Sequence, residues 1–346
     1  MTRKNHLLAI GFRFFTRASA LLGLALVSVN SSQLHAQSIF YLDTENGGGF
    51  GNNPNSFLWA TFSPVWTTDS SGNSSQVAWS NATPASNAIL GNGASVGAST
   101  AFLGGNISVG TLSVVNGTWT VNIGSNTLTF DSASHSNLDA TITDSGSGPG
   151  SVVKTGSGTM TVTTTSNYTG GTTISGGALR FNVANTSIGP TAINSGGTLQ
   201  LGASSTLPTS TTLTLAGGTL AMTGAFDQSF STALAMSAGS TINFGSGFGA
   251  SAVAFGNSSG QTWTGTLLVS NFSTAGGDTL RFGTSSSALS GAQLAAISFD
   301  GFGAQIDGSG FVTPVPEPET YALFVGATVL AVFSYRRRQL SAAAGG

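Results

Sequence analysis

The stretch VVKTGSGTMTVTTTSNYTGGTTISGGALRF, Val152–Phe181, decides the architecture. It contains two related units, GTMTV (158–162) and GALRF (177–181), whose central apolar residues Met160 and Leu179 are 19 positions apart. In each unit an apolar residue is followed by a polar one and then by another apolar one. Period two with one apolar side is the pattern of a β-strand. A shorter apolar-alternating segment, TTI (172–174), precedes the second unit, and SGG (175–177) separates the two. Glycine suits such a corner because it accepts positive φ and lets stacked backbones pass closely.

The same unit recurs in both directions. Copies read GTWTV (117–121), NLDA (137–140), GTLQL (197–201), GTLAM (218–222), STINF (240–244), QTWTG (261–265) and DTLRF (278–282). Their anchors are Trp119, Leu138, Met160, Leu179, Leu199, Leu220, Ile242, Trp263 and Leu280, at spacings of 17 to 22 residues. A unit this short cannot bury its apolar side alone. Stacking successive coils about 4.8 Å apart does so, which predicts an all-β chain folded as a right-handed parallel β-helix (a β-solenoid). Nine rungs would extend roughly 40 Å. An antiparallel β-sandwich with regular turns is the competing arrangement. Threonines 118, 159, 198, 219, 241, 262 and 279 precede the anchors and read as an outward hydroxyl ladder. Asp139, Thr161, Arg180, Gln200, Ala221, Asn243, Thr264 and Arg281 read as a second outward row.

Val152–Phe181 is similar to the autotransporter-associated β-strand repeat, also called the passenger-associated transport repeat. The resemblance rests on Lys154, Gly156, Gly158-Thr159-Met160-Thr161-Val162, Asn167-Tyr168-Thr169-Gly170-Gly171-Thr172-Thr173 and Gly176-Gly177-Ala178-Leu179. It covers about thirty residues once, with degenerate copies elsewhere. Residues 77–91 resemble the region that often precedes such repeats in exported proteins. An outer-membrane barrel needs at least about eight strands of about ten residues. Fewer than thirty residues follow Pro318, so the chain does not read as an autotransporter.

Composition agrees with export. Gly reaches 49 of 346 residues, charged residues make up 6 %, and there is no cysteine. Thiol catalysis and Cys-ligated metal centres are therefore excluded. Residues 37–313 hold ten acids against Lys154, Arg180 and Arg281, a net charge of −7. Without a basic stripe to neutralise phosphates, no nucleic-acid partner is expected.

Both termini read as addresses. A basic segment 1–17 and the apolar run Ala18–Val29 form a signal peptide, with cleavage expected between Ala36 and Gln37. Near the other end, Thr320–Tyr335 is an uncharged span of roughly 24 Å as a helix, a marginal single transmembrane helix. Arg336, Arg337 and Arg338 follow it and would stay on the cytoplasmic side. Pro316-Glu317-Pro318, the apolar helix and the arginines together resemble the PEP-CTERM sorting signal of Gram-negative exported proteins. The resemblance implies processing near Pro316–Pro318 by an exosortase-type membrane enzyme, transient residence in the inner membrane, and a host that makes exopolysaccharide.

The expected organisation is a signal peptide (1–36), a β-rich cap (37–105), solenoid repeats (106–285), a C-terminal cap and linker (286–313) and the sorting signal (314–340). Within the second cap, Ser290 and Gln293 have capping-box spacing before a short helix. Catalytic chemistry is sparse. His135 is the one histidine past the signal peptide, and no Ser-His-Asp motif, metal-ligand spacing or phosphate loop is present. Asp131, Asp139, Asp144 and Lys154 form the densest ionisable group, and paired carboxylates can cleave glycosides. The expectation is an exported, non-enzymatic surface or matrix protein without cofactor or metal, structural or adhesive and associated with exopolysaccharide. A β-helix polysaccharide lyase or glycoside hydrolase is the alternative.

Overall fold

The computed structural model describes residues 37–44, 56–82, 85–92, 97–146, 148–186, 188–247 and 249–315. The expected signal peptide with Ala36, the helix Thr320–Tyr335, Pro316-Glu317-Pro318 and Arg336-Arg337-Arg338 lie outside the described residues. All the described residues belong to one compact unit that starts at Gln37.

That unit is all-β apart from one short helix, and its chain winds through three faces per turn. The first face is a seven-stranded parallel sheet running from Ile107–Val109 to Ala235–Ala238. The second is an eight-stranded parallel sheet from Ser136–Leu138 to Ile297–Phe299. The third begins as four parallel strands, Ser56–Trp59 to Ala140–Thr143, and resumes as Asp227–Ser229, Ala252–Phe255 and Thr279–Phe282. A β-solenoid is thus the arrangement adopted, and the sandwich is not.

Register follows the apolar alternation. On the second face Met160, Leu179, Leu199, Leu220, Ile242 and Val269 are successive partners, each buried. On the first, Val109, Phe130, Lys154, Ile174, Ile193 and Leu215 form the matching inward row. The nine expected anchors do not share one ladder. Trp119 and Leu280 lie on the third face, and Leu138 pairs with Val162, two positions along. Trp263 gives way to Val269 as the partner of Ile242. The discrepancy has a geometric cause. Every face is built from the same short alternating strands, so a period near twenty recurs on all three.

Between Thr143 and Asp227 the third face has no strands among the described residues, and buried side chains join a few backbone bonds in holding it together. Ile142 N donates to Ser166 Oγ (3.1 Å), and Ser166 N to Asn185 Oδ1 (2.9 Å). Asn185 Nδ2 donates to Thr206 O (2.9 Å). Gln228 closes the row, accepting from Leu207 N (3.1 Å) and donating to Leu207 O (3.0 Å). Each side chain supplies the partner that a parallel strand would otherwise have offered, as buried polar backbone requires.

Both ends are closed. Near the N-terminus Pro64–Thr67 and Val77–Ala78 pair antiparallel beside Ile39–Leu42. Behind them Trp59, Trp66 and Trp79 form a triangle with ring centroids 5.0, 5.0 and 5.1 Å apart. Asn81 covers the outer edge of Ile107–Val109 by accepting from Ser108 N (2.9 Å) and donating to Asn106 O (2.8 Å). At the other end, Phe311–Pro314 pairs antiparallel with Thr279–Phe282 and ends the parallel stack. The helix Gly291–Ala295 carries the expected Ser290/Gln293 capping box. Gln293 Nε2 also donates to Ser258 O (2.7 Å) and Gln261 O (2.9 Å), tying the helix over the last turns.

Candidate binding faces

Strand alternation leaves each face a row of outward side chains. On the first face the central row reads Ser108, Thr129, Val153, Thr173, Ala192, Thr214 and Ala235, small and uncharged throughout. On the second, Thr159, Ala178, Thr198, Thr219 and Thr241 are successive partners, so four of the seven expected threonines share a ladder. Thr118 and Thr279 stand on the third face, and Thr262 belongs to no strand. Beside that ladder runs Asn137, Thr161, Arg180, Gln200, Ala221, Asn243 and Ser270. On the third face Ser56, Thr100, Thr120 and Thr141 are partners next to exposed Leu58 and Phe102.

The ionisable residues distribute differently from the expectation. Asn137, not Asp139, occupies the slot that continues to Thr161 and Arg180. Asp139 sits at the corner between Ser136–Leu138 and Ala140–Thr143, where its carboxylate accepts from Thr163 Oγ1. Asp131 sits at another corner of the same turn and accepts from Thr155 Oγ1 (3.0 Å). Asp144, at the third corner, accepts from Gly150 N (3.1 Å), Thr169 N (2.6 Å) and Thr169 Oγ1 (2.6 Å). Three carboxylates at three corners do not form the facing pair that glycoside cleavage uses. Each one instead ties its turn to a threonine of the next.

Lys154 departs furthest. It points inward and is 1 % exposed, in the slot that Phe130 and Ile174 fill in the neighbouring turns. Its Nζ donates to the carbonyls of Gly156 and Gly176, at successive corners. Burial pushes the amine below its ordinary value of 10.5, and the charge of Asp131 opposes that shift. The signal was present in the alternation Val152-Val153-Lys154, which sends Lys154 to the same side as buried Val152. The polar row Ser166, Asn185, Gln228 had no comparable signal, because its members stand outside the alternating five-residue strand units.

Other perturbed groups are structural. Asp69 is held at about 2 by the hydroxyl and N–H of Ser71, with Ser74 Oγ and Asn73 N adding to them in an exposed turn. Burial raises Tyr168, whose hydroxyl meets Thr172 Oγ1 at 2.7 Å. His135 is exposed. Among the described residues no group of three or more His, Asp or Glu could hold a metal ion. No helix among them is long and apolar enough to cross a membrane.

Against known families, residues 152–181 match the passenger-associated-transport-repeat. Comparison with curated proteins and with solved structures gives no match. The matched segment spans the inward lysine, the Met160–Leu179 pair and the glycine corners, which is one turn of the solenoid and the strands that begin and end it.

Proposed function

We propose that the chain is an exported scaffold of a Gram-negative cell surface or extracellular matrix, associated with exopolysaccharide and without enzymatic activity. On this reading the signal peptide is removed after Ala36. The tail then holds the chain in the inner membrane until an exosortase-type enzyme acts near Pro316-Glu317-Pro318. A right-handed winding is part of the proposal and rests on the general preference of parallel crossovers. The solenoid fold and the matched transport-associated repeat support an exported surface protein.

One observation carries the non-enzymatic reading: the outward rows of the first two faces are hydroxyl, amide and aliphatic groups apart from Arg180, while the carboxylates of one turn are spread over its three corners. Hydroxyl rows hydrogen-bond to sugars but do not titrate near neutral pH, so they bind without offering acid–base catalysis. The test is to replace Pro316, Glu317 and Pro318 together with alanine and fractionate the cells. Retention in the inner membrane is expected, and unchanged release would overturn the sorting step. The scaffold reading falls if the purified chain cleaves an acidic polysaccharide and Asp139→Asn abolishes the cleavage.

A further inference from the structure

The connections from the second face to the third are short in the middle of the stack and long near its C-terminal end. Residues 223–226 make one such connection, whereas the next two run 244–251 and 271–278. Between these two long connections lies a cleft of about 360 Å³ lined by Ser246, Asn271, Phe272, Ser273 and Asp278 among glycines. That volume falls in the range of about 300–1,000 Å³ usual for small-molecule sites.

The walls are built and held. Asp278 is 8 % exposed and bridges them, Oδ1 accepting from Ser251 N (2.9 Å) and Oδ2 from Ser273 N (2.8 Å). The partly buried ring of Phe272 is wedged between Phe244 and Phe299, at centroid distances of 5.0 and 4.9 Å. Asn271 takes the left-handed conformation (φ 57°) and donates from Nδ2 to Asn243 Oδ1 (2.9 Å). Its own N–H donates to Asp300 Oδ2 (3.2 Å). Lengthened loops on a rigid stack contribute little to the core and are where binding residues concentrate.

We propose that this cleft binds an uncharged saccharide. The inference rests on the polysaccharide association proposed above and names the place and the class of glycan. A pyranose has apolar C–H groups and a polar rim, which match the accessible part of the Phe272 ring bordered by hydroxyls and an amide. Among the described residues the lining holds no Lys, Arg or His, and Asp278 and neighbouring Asp300 are both acidic. Uronates, sulfates and phosphates are therefore repelled and neutral hexoses are not. Asp278 is the one carboxylate among the described lining residues, so the cleft lacks the pair of carboxylates that glycoside cleavage uses.

The full chain, purified, is applied to an array of neutral and uronate-containing glycans, together with Ser246→Trp and Asn271→Gly. Ser246 is exposed, and glycine accepts the φ of Asn271, so neither change disturbs the core. Thermal unfolding with and without a neutral oligosaccharide checks both folding and binding. The expected result is binding to neutral glycans only, weakened at least tenfold by Ser246→Trp and several-fold by Asn271→Gly. No neutral-glycan binding, preferential uronate binding, or unchanged affinity in both variants overturns the cleft. Fractionation reads location and the array reads ligand, so the two proposals fail separately. A surface-located chain that binds no neutral glycan overturns the cleft alone. A chain retained inside the cell that still binds neutral glycans overturns the surface reading alone.

Discussion

Leu199 has no exposed surface, and its partners above and below are Leu179 and Leu220, both apolar. Leu199→Asp places an unpaired charge between rungs and should cost about 4 kcal/mol or more. Chemical denaturation of the purified variant reads it, and a loss under 1 kcal/mol would mean that the inward row is not as packed as described. Asp139→Asn, at an exposed corner, should leave the denaturation midpoint nearly unchanged in the same assay. Lys154 gives a pH-dependent prediction. Its folded value lies below 10.5, so between that value and 10.5 the unfolded chain holds more of the proton. The lysine's contribution to stability is therefore complete above 10.5 and is lost as pH falls through the lowered value. Comparing wild type with Lys154→Met across the alkaline range should show wild type gaining on the variant as pH rises. A difference that stays flat or reverses would contradict the inward placement. At this scale the sequence was legible wherever a strand alternated. It misled for Lys154 because residue type was read ahead of position in the pattern.

The corners and the strandless part of the third face make the elements stack. A Cβ on Gly176 would overlap the Thr155 carbonyl oxygen of the preceding corner. Gly176→Ala should therefore force the two corners apart and cost about 1–3 kcal/mol, measured by thermal or urea unfolding. Gln228→Leu keeps the volume but leaves Leu207 N and O without their partner, with about 1–3 kcal/mol lost for each buried group left unpaired. If Gln228→Leu proves neutral, the side-chain row does not substitute for strands. The repeated unit and its glycine corners were readable from Val152–Phe181 because each strand there satisfies a local rule. Which of three faces a given unit joins was not readable, because that depends on the lengths of the connections between units. On the second face the inward partners Leu220, Ile242, Val269 and Phe299 are 22, 27 and 30 residues apart in sequence. The same widening of connections creates the cleft beside Phe272, so that site was hidden with the register.

For the whole molecule, the compact unit starts at Gln37, the residue expected to follow signal cleavage. N-terminal sequencing of the exported protein should return Gln37 first, and a mature form beginning at Met1 would defeat the export reading. Between the two antiparallel ends parallel pairing passes through every turn, so there the chain's order in space repeats its order in sequence, and each turn contacts mainly its neighbours. Such a stack can open from one end without opening elsewhere. Four of the five tryptophans, Trp59, Trp66, Trp79 and Trp119, lie at the N-terminal end, and Trp263 stands alone near the other. Three of these indoles pack about 5 Å apart in a fixed arrangement, so near-ultraviolet circular dichroism of the native chain should report chiefly on one end of the molecule. The protein thus carries its own optical marker of polarity: loss of the near-ultraviolet tryptophan signal reports fraying of the first turns, while the amide signal averages over all of them.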